Sequence, residues 1–476
     1  MEKSNSYSQA SSDSMEKTNS VSKASKTVNT KTVKKHVLPT VALSTIFAMT
    51  FGFFGVNMSF SLQSTQMSRI FQTIGANPNS LGWFFILPPL AGMIIQPLIG
   101  KYSDRTWSRF GRRMPYLLFA GPIAAIVLIL LPNAGSFGFG YGSLAALWFG
   151  AVATLFMDLT SNVCKQPYLM IIGDMVNEKQ KDLAWSWQQS FANLGGVVAT
   201  LLPFILTALG ISNTAPKGEV PASVKIVYYF GAVVLLISSL YTVFSVHEYN
   251  PKKYAYYHGL DLNKASKKAA SLWTLVKKAP RNFWELFIPQ FFSWFAIMYM
   301  WTYSTGAIAK NVWHTENPSS AGYQAAGNWY GVLFCVLSLA SVIFGFYLSK
   351  ASHPSKRKFW YKFGLLAGAV GFISIYFIHN KWALFVSFGL MGIFYLVANS
   401  LPFSLLTETV EGRDQGSYLG LFNIAICLPQ IIASVASFAI FPIVGNSMPA
   451  MLAIAGGGLI LGIFSVDLVH SKFDKK

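Results

Sequence analysis

Apolar blocks about 20 residues long, separated by short polar segments, constrain this chain more than any other feature of its sequence. At a helical rise of 1.5 Å per residue, a block of about 20 residues crosses a hydrocarbon core of roughly 30 Å. Hydrophobic residues make up 53% of the 476 and charged residues 12%, against roughly 25% charged in a soluble domain. A soluble fold of this length has no means of covering so much apolar surface. The expectation is therefore an all-α membrane protein. Its spans fall at roughly 38–63, 80–101, 115–131, 144–171, 183–209, 224–246, 283–309, 328–349, 359–378, 381–406, 416–441 and 449–469.

The net charge of +19 raises the question of a nucleic-acid partner, and its placement answers it. With twelve spans and both termini inside, Lys and Arg gather in the tail (Lys3 to Lys35), Lys101–Arg113, Lys179, Lys181, Lys252–Arg281, Lys350–Lys362, Arg413 and Lys472–Lys476. The outer loops keep Arg69, Lys217, Lys225, Lys310 and Lys381. This is the positive-inside pattern, and one miscounted span would scramble it. A nucleic-acid binder carries its basic residues on a solvated fold instead.

Residues 1–36 are polar, cannot bury enough surface to fold, and lack the apolar run of a cleaved signal. They are expected to be a disordered cytoplasmic tail. A first six-helix bundle is expected over 37–246, a cytoplasmic linker over 247–281, a second bundle over 282–470 and a short tail over 471–476. Two six-helix bundles around a central cavity is the layout of many transporters. Cys164, Cys335 and Cys427 fall inside spans with no CxxC partner, which supports neither a metal site nor a disulfide framework. P-loop, HExxH and GxSxG patterns are missing, so the expectation is no enzyme and no cofactor.

The sharpest motif is GKYSDRTWSRFGRRMP, Gly100 to Pro115. It resembles the inner-loop signature of the major facilitator superfamily, in a longer form similar to the glycoside–pentoside–hexuronide and sucrose-transporter-like symporters. GSYLGLFNIAICLPQIIAS (Gly416–Ser434) and QFFSWFAIMYMWTYSTGAIA (Gln290–Ala309) resemble the eleventh and seventh helices of the same branch, closest to bacterial maltose or sucrose permeases. The resemblance implies a secondary active transporter that imports a maltose- or sucrose-like disaccharide by proton symport with alternating access. It further implies a monomer in the cell membrane, partnered by sugar, protons and lipid bilayer. Gating falls to Gly100, Asp104, Arg105, Gly111, Arg112 and Arg113, with Asp174 as a salt-bridge partner for the arginines. The alternatives are a cation-independent facilitator or exporter of the same fold, and a sugar sensor that moves nothing.

The fourth span carries Asp158 near mid-bilayer, where an ionised carboxylate costs several kcal/mol unless compensated. Asn162, Lys165 and Gln166 follow at four, seven and eight residues, on one helix face at 100° per residue. Lys165 stands roughly 10 Å further along the axis, too far for a tight ion pair without help. Burial favours a neutral carboxyl and a nearby ammonium an ionised one, so relative motion of the two would load and release a proton. The proton-coupling candidates are Asp158 and Lys165. Where the plant sucrose branch carries an arginine eleven residues after its aspartate, this chain has Leu169.

Sugar sites need flat apolar rings for C–H faces and a few amides for hydroxyls. The substrate-binding candidates are Asn57, Asn162, Gln166, Gln188, Gln189, Asn193, Trp294, Trp301, Tyr303, Asn399, Asn423 and Gln430.

Overall fold

The computed structural model describes residues 37–103, 106–258, 277, 279–351, 354–409 and 421–470. The terminal tails, most of the linker, Asp104 and Arg105 lie outside these residues. Twelve long helices stand among the described residues: α1 (Leu43–Thr73), α2 (Leu81–Ser103), α3 (Met114–Leu130), α4 (Leu144–Met175), α5 (Glu178–Ala208) and α6 (Ala222–Ser245). They continue with α7 (Arg281–Trp313), α8 (Ala321–Ala351), α9 (Arg357–Phe377), α10 (Leu384–Thr409), α11 (Ile424–Ile443) and α12 (Met448–Ser465). A short helix, Pro251–His258, follows α6. Ten of the twelve are long and apolar enough to cross a membrane; α2 is apolar over Leu81–Ile95, and α7 is interrupted by hydroxyl and aromatic residues. A helix pairs its backbone groups internally, which is what hydrocarbon demands.

Helices α1–α6 form one bundle, with α1 against α4, α5 and α6, and α3 against α4 and α6. Helices α7–α12 form the other, with α7 against α8, α11 and α12, and α9 against α10 and α12. Two seams join the bundles, α2 with α11 and α5 with α8, and α1 also touches α7 and α8. The segment before α1 meets the α4–α5 connection, where Gln180 Nε2 donates to the Val41 carbonyl at 2.9 Å. That end of the molecule, shared with the α2–α3 connection, is the basic end; the α1–α2 connection lies at the far end.

Hydrogen bonds between described residues of different bundles lie toward the far end. Ser68 Oγ donates to the Thr302 carbonyl at 2.6 Å, and Gln324 Nε2 to Thr73 Oγ1 at 2.9 Å. Asn328 Nδ2 donates to Thr207 Oγ1 at 2.8 Å. At the same end Trp83 lies against Phe438, ring centroids 4.9 Å apart. The bundles also come close at Gly331 of α8, where a Cβ would stand 2.2 Å from the Thr200 carbonyl oxygen of α5.

Arg69 requires a correction. The first span was expected to end at residue 63, leaving Arg69 in an outer loop, but α1 runs ten residues further and Arg69 is 1% exposed. Its Nε donates to Gln324 Oε1 at 2.6 Å and its Nη2 to Asn213 Oδ1 at 2.8 Å. Its Nη1 donates to Asn328 Oδ1 at 2.7 Å and to Gln66 Oε1 at 3.2 Å. Hydropathy reads polar residues such as Gln66 and Gln72 as loop, whereas here they face other helices. Lys310, likewise expected in a loop, occupies the last turn of α7 and pairs with Glu316 at 2.7 Å.

Replacing Gly331 by alanine should force α5 and α8 apart and cost about 1–3 kcal/mol. Thermal unfolding in detergent would show it as a lowered midpoint, and an unchanged midpoint would contradict the close seam.

Candidate functional site

Between the bundles lies a cavity of about 440 Å³ lined by α1, α2, α4, α5, α7, α8, α10 and α11. Its residues nearer the basic end, Gln189, Asn193 and Asn399, are exposed, while Gln63, Asn162 and Gln430 deeper in are buried. The hollow therefore opens toward the basic end and is shut at the far end.

Asp158, Asn162 and Lys165 all line it, as their spacing along one face of α4 requires. Asp158 is 5% exposed. Its Oδ2 accepts from Asn162 Nδ2 at 2.9 Å, and that amide also bonds the Asp158 carbonyl oxygen at 2.9 Å. Gln63 of α1 reaches the same carboxylate. The Lys165 ammonium rests over the Phe60 ring, 5.4 Å from its centroid. Lys165 and Asp158 thus share the cavity without forming an ion pair.

Asn57 lines the cavity and donates to the Ala192 carbonyl of α5 at 2.5 Å. Gln189 donates to Asn193 at 3.1 Å, and both face the hollow. Asn399, Asn423 and Gln430 line the opposite wall. Trp294 and Trp301, one above the other on α7, contribute rings with centroids 6.3 Å apart. Both indole N–H groups are buried without an acceptor, which costs about 1–3 kcal/mol each while it lasts.

Three expected contributors stand elsewhere. Gln188 is buried and donates to the Tyr168 carbonyl at 2.8 Å, fastening α5 to α4. Tyr303 is buried against Phe441, ring centroids 5.6 Å apart. Gln166 is half-buried outside the cavity wall. Helical geometry accounts for all three, since a neighbour is rotated about 100° and the second residue about 200°. With Gln189, Trp301 and Lys165 facing inward, Gln188, Tyr303 and Gln166 turn away. Gln63, Ser61 and Ser64 of α1, absent from the candidates named on sequence grounds, also line the hollow. Their spacing from Asn57, at four, six and seven residues, was the available signal.

At the basic end, Gly111 takes φ +108°, a backbone conformation glycine adopts without strain. The turn aims the first N–H groups of α3 at Glu248, just beyond α6. Glu248 accepts from the amides of Arg112 at 3.0 Å, Arg113 at 2.7 Å and Met114 at 3.0 Å. Arg113 Nε meets Asp174 Oδ2 at 3.0 Å, and its guanidinium also bonds Ser103. The Arg112 guanidinium lies 5.8 Å from the Trp107 ring centroid. Gly100 sits on α2 three residues before its last residue, Ser103; Asp104 and Arg105 fall outside the described residues. Glu248 was not anticipated, although an acid directly after the sixth apolar block and beside a basic loop was the clue. Burial pushes its carboxyl above the usual range, and the three backbone donors oppose that shift.

Residues 46–434 match the family model described as Major Facilitator Superfamily. The sucrose transport protein SUC4 of Arabidopsis thaliana is 22% identical over 447 residues, covering 87% of this chain and 87% of that protein. The sucrose transport protein SUT1 of Oryza sativa subsp. japonica is 21% identical over 469 residues, covering 87% and 86%. Among solved structures, the nucleoside transporter NupG aligns with a TM-score of 0.66 at 13% identity, over 91% of this chain and 100% of that one. The peptide transporter POT bound to alafosfalin aligns with a TM-score of 0.64 at 16% identity, over 90% and 96%. Likeness at these identities shows a shared fold and leaves the cargo to the site itself.

Glu248→Ala should strip three amides of their acceptor and cost about 1–3 kcal/mol, read as a lower unfolding midpoint. A raised carboxyl contributes stability that is full below the unfolded value of 4.5 and lost as pH rises through the higher folded value. Glu248→Gln should therefore flatten that part of the midpoint-versus-pH curve, and an unaltered curve would remove Glu248 from the account.

Proposed function

This chain belongs to the Major Facilitator Superfamily, and we propose that it imports a disaccharide together with one or more protons by alternating access. In this reading the protein lies in the cell membrane as a monomer with both termini cytoplasmic. The basic end is then the inner face, and the structure is open to the cytoplasm.

The observation that carries the proposal is Asp158, halfway along α4, facing a solvent-reachable hollow between two bundles with no ion-pair partner among the described residues. An ionised carboxylate held there costs several kcal/mol unless compensated. A proton removes that cost, and so does approach of the Lys165 ammonium seven residues on. Rocking of one bundle against the other changes which compensation is available, because Lys165 leans on Phe60 of α1 and faces the α11 wall at Cys427. Asp158 then takes a proton when the cavity faces outward and releases it inward, with the sugar moving in the same cycle.

The sugar is assigned from the cavity walls and the named relatives, two of which are sucrose transport proteins. Trp294 and Trp301 offer flat apolar surface, and sugar hydroxyls supply the acceptors their N–H groups lack. Asn57, Asn162, Gln189, Asn193, Asn399, Asn423 and Gln430 bind the remaining hydroxyls. Gating belongs to Gly100, Asp104, Arg105, Gly111, Arg112, Arg113 and Asp174. A second reading, facilitation without a coupling ion, draws on Leu169 standing where the plant branch has an arginine.

In liposomes, a panel of radiolabelled mono-, di- and trisaccharides with and without a pH gradient should show gradient-driven accumulation of a disaccharide. Asp158→Asn should keep sugar exchange and lose accumulation; accumulation that persists would reject Asp158 as the proton carrier and favour facilitation. Trp294→Phe shrinks the flat aromatic surface and removes one N–H, so it should raise the sugar KM about 3- to 10-fold. An unchanged KM would take Trp294 out of the binding site.

A further inference from the structure

The buried Arg69 network has a property that the transport reading does not use. Arg69 is a cation removed from water, yet each hydrogen-bond acceptor it meets among the described residues is a neutral amide oxygen: Gln66 on its own helix, Asn213 beyond α5, and Gln324 and Asn328 on α8. A buried cation is expected to sit against a carboxylate. Neutral amides satisfy its N–H groups without cancelling its charge, so the arrangement holds only while all of them stay in place. They come from both bundles, and therefore exist together only when the far end is shut. Parting the bundles would let water reach the guanidinium and offset the lost bonds.

α8 is shaped for this contact. A Cβ at Gly327 would stand 2.6 Å from Arg69 Cδ, so glycine is what lets the arginine stem lie across the helix. Asn328 next to it also binds Thr207 and the Pro203 carbonyl of α5, and Gln324 also binds Thr73 of α1. The same two amides thus hold the arginine and the seam.

We infer that Arg69 and its cage of Gln324, Asn328 and Asn213 form the latch of the far-end gate, a cation held by neutral amides that closes the cavity on that side. The inference concerns which face can reach the cavity, and it rests on alternating access but on neither the sugar nor the coupling ion.

Cys427 lines the cavity, whereas Cys164 does not, so modification of Cys427 by a membrane-impermeant thiol reagent reports access. The measurement uses full-length protein in vesicles of fixed orientation, with the labelled cysteine identified by mass spectrometry. Wild-type protein should react faster from the basic-end face. Asn328→Leu leaves the guanidinium short of an acceptor and should raise the rate from the far-end face about tenfold. Arg69→Met removes the cation that both bundles grip and should raise the far-face rate in the same way, and combining it with Asn328→Leu should add little, because the two act through one contact. Gly327→Ala, which displaces the arginine stem while keeping every polar group, should act in the same direction as Asn328→Leu. Unchanged far-face rates in Asn328→Leu and Arg69→Met, or a double variant back at the wild-type rate, would overturn the latch. Labelling requires no transport, so a loss of sugar uptake or proton coupling does not alter how the rates are read.

Discussion

A polar group inside a bilayer must find its partner within the protein, because hydrocarbon offers none. That requirement organises this molecule. Lipid-facing positions such as Phe119, Ile237, Phe346 and Phe464 are exposed and apolar, while amides, hydroxyls and charges turn toward other helices. Some are consumed in packing, as Gln188 is on Tyr168 and Gln290 on the Ala398 carbonyl. Others converge on the central hollow, where Asp158, Lys165 and several amides line the walls with bonding capacity their neighbours do not fill. The cavity is the place where packing does not use up the polar groups.

The two ends of the molecule are fastened differently. At the far end the bonds between described residues cross from bundle to bundle, through Ser68, Gln324 and Asn328. At the basic end they stay within a bundle: Glu248 on the start of α3 and Arg113 on Asp174 in the first, Glu285 on His470 and Lys362 on Asp467 in the second. Among the described residues, each bundle is tied to itself where the cavity opens and to its neighbour where it closes. Motion of two stiff bodies about the middle of the membrane suits that pattern better than deformation of single helices.

Much of this was legible in the sequence. Block length and the spacing of basic residues led to twelve helices, and the stripe Asp158–Asn162–Lys165 falls on one face by helical spacing alone. Rotation about a helix was the weaker point: amide and aromatic residues at adjacent positions, Gln188 with Gln189 or Trp301 with Tyr303, cannot be sorted by residue type, because only the neighbouring helices say which is inward. Arg69 escaped for a different reason. Its burial depends on amides more than 140 residues away in sequence, and a hydropathy window sees only the polar run around it. Glu248 was hidden likewise, since its partners are backbone amides that any sequence would offer.

The amide cage around Arg69 also bears on how the far end responds to acid. A closure fastened by carboxylates would be neutralised, and so loosened, as the medium acidified. Gln324, Asn328, Asn213 and Gln66 bear no proton to gain in that range. Acidification of that face therefore leaves every acceptor around Arg69 as it was, and the fastening of the far end is blind to pH.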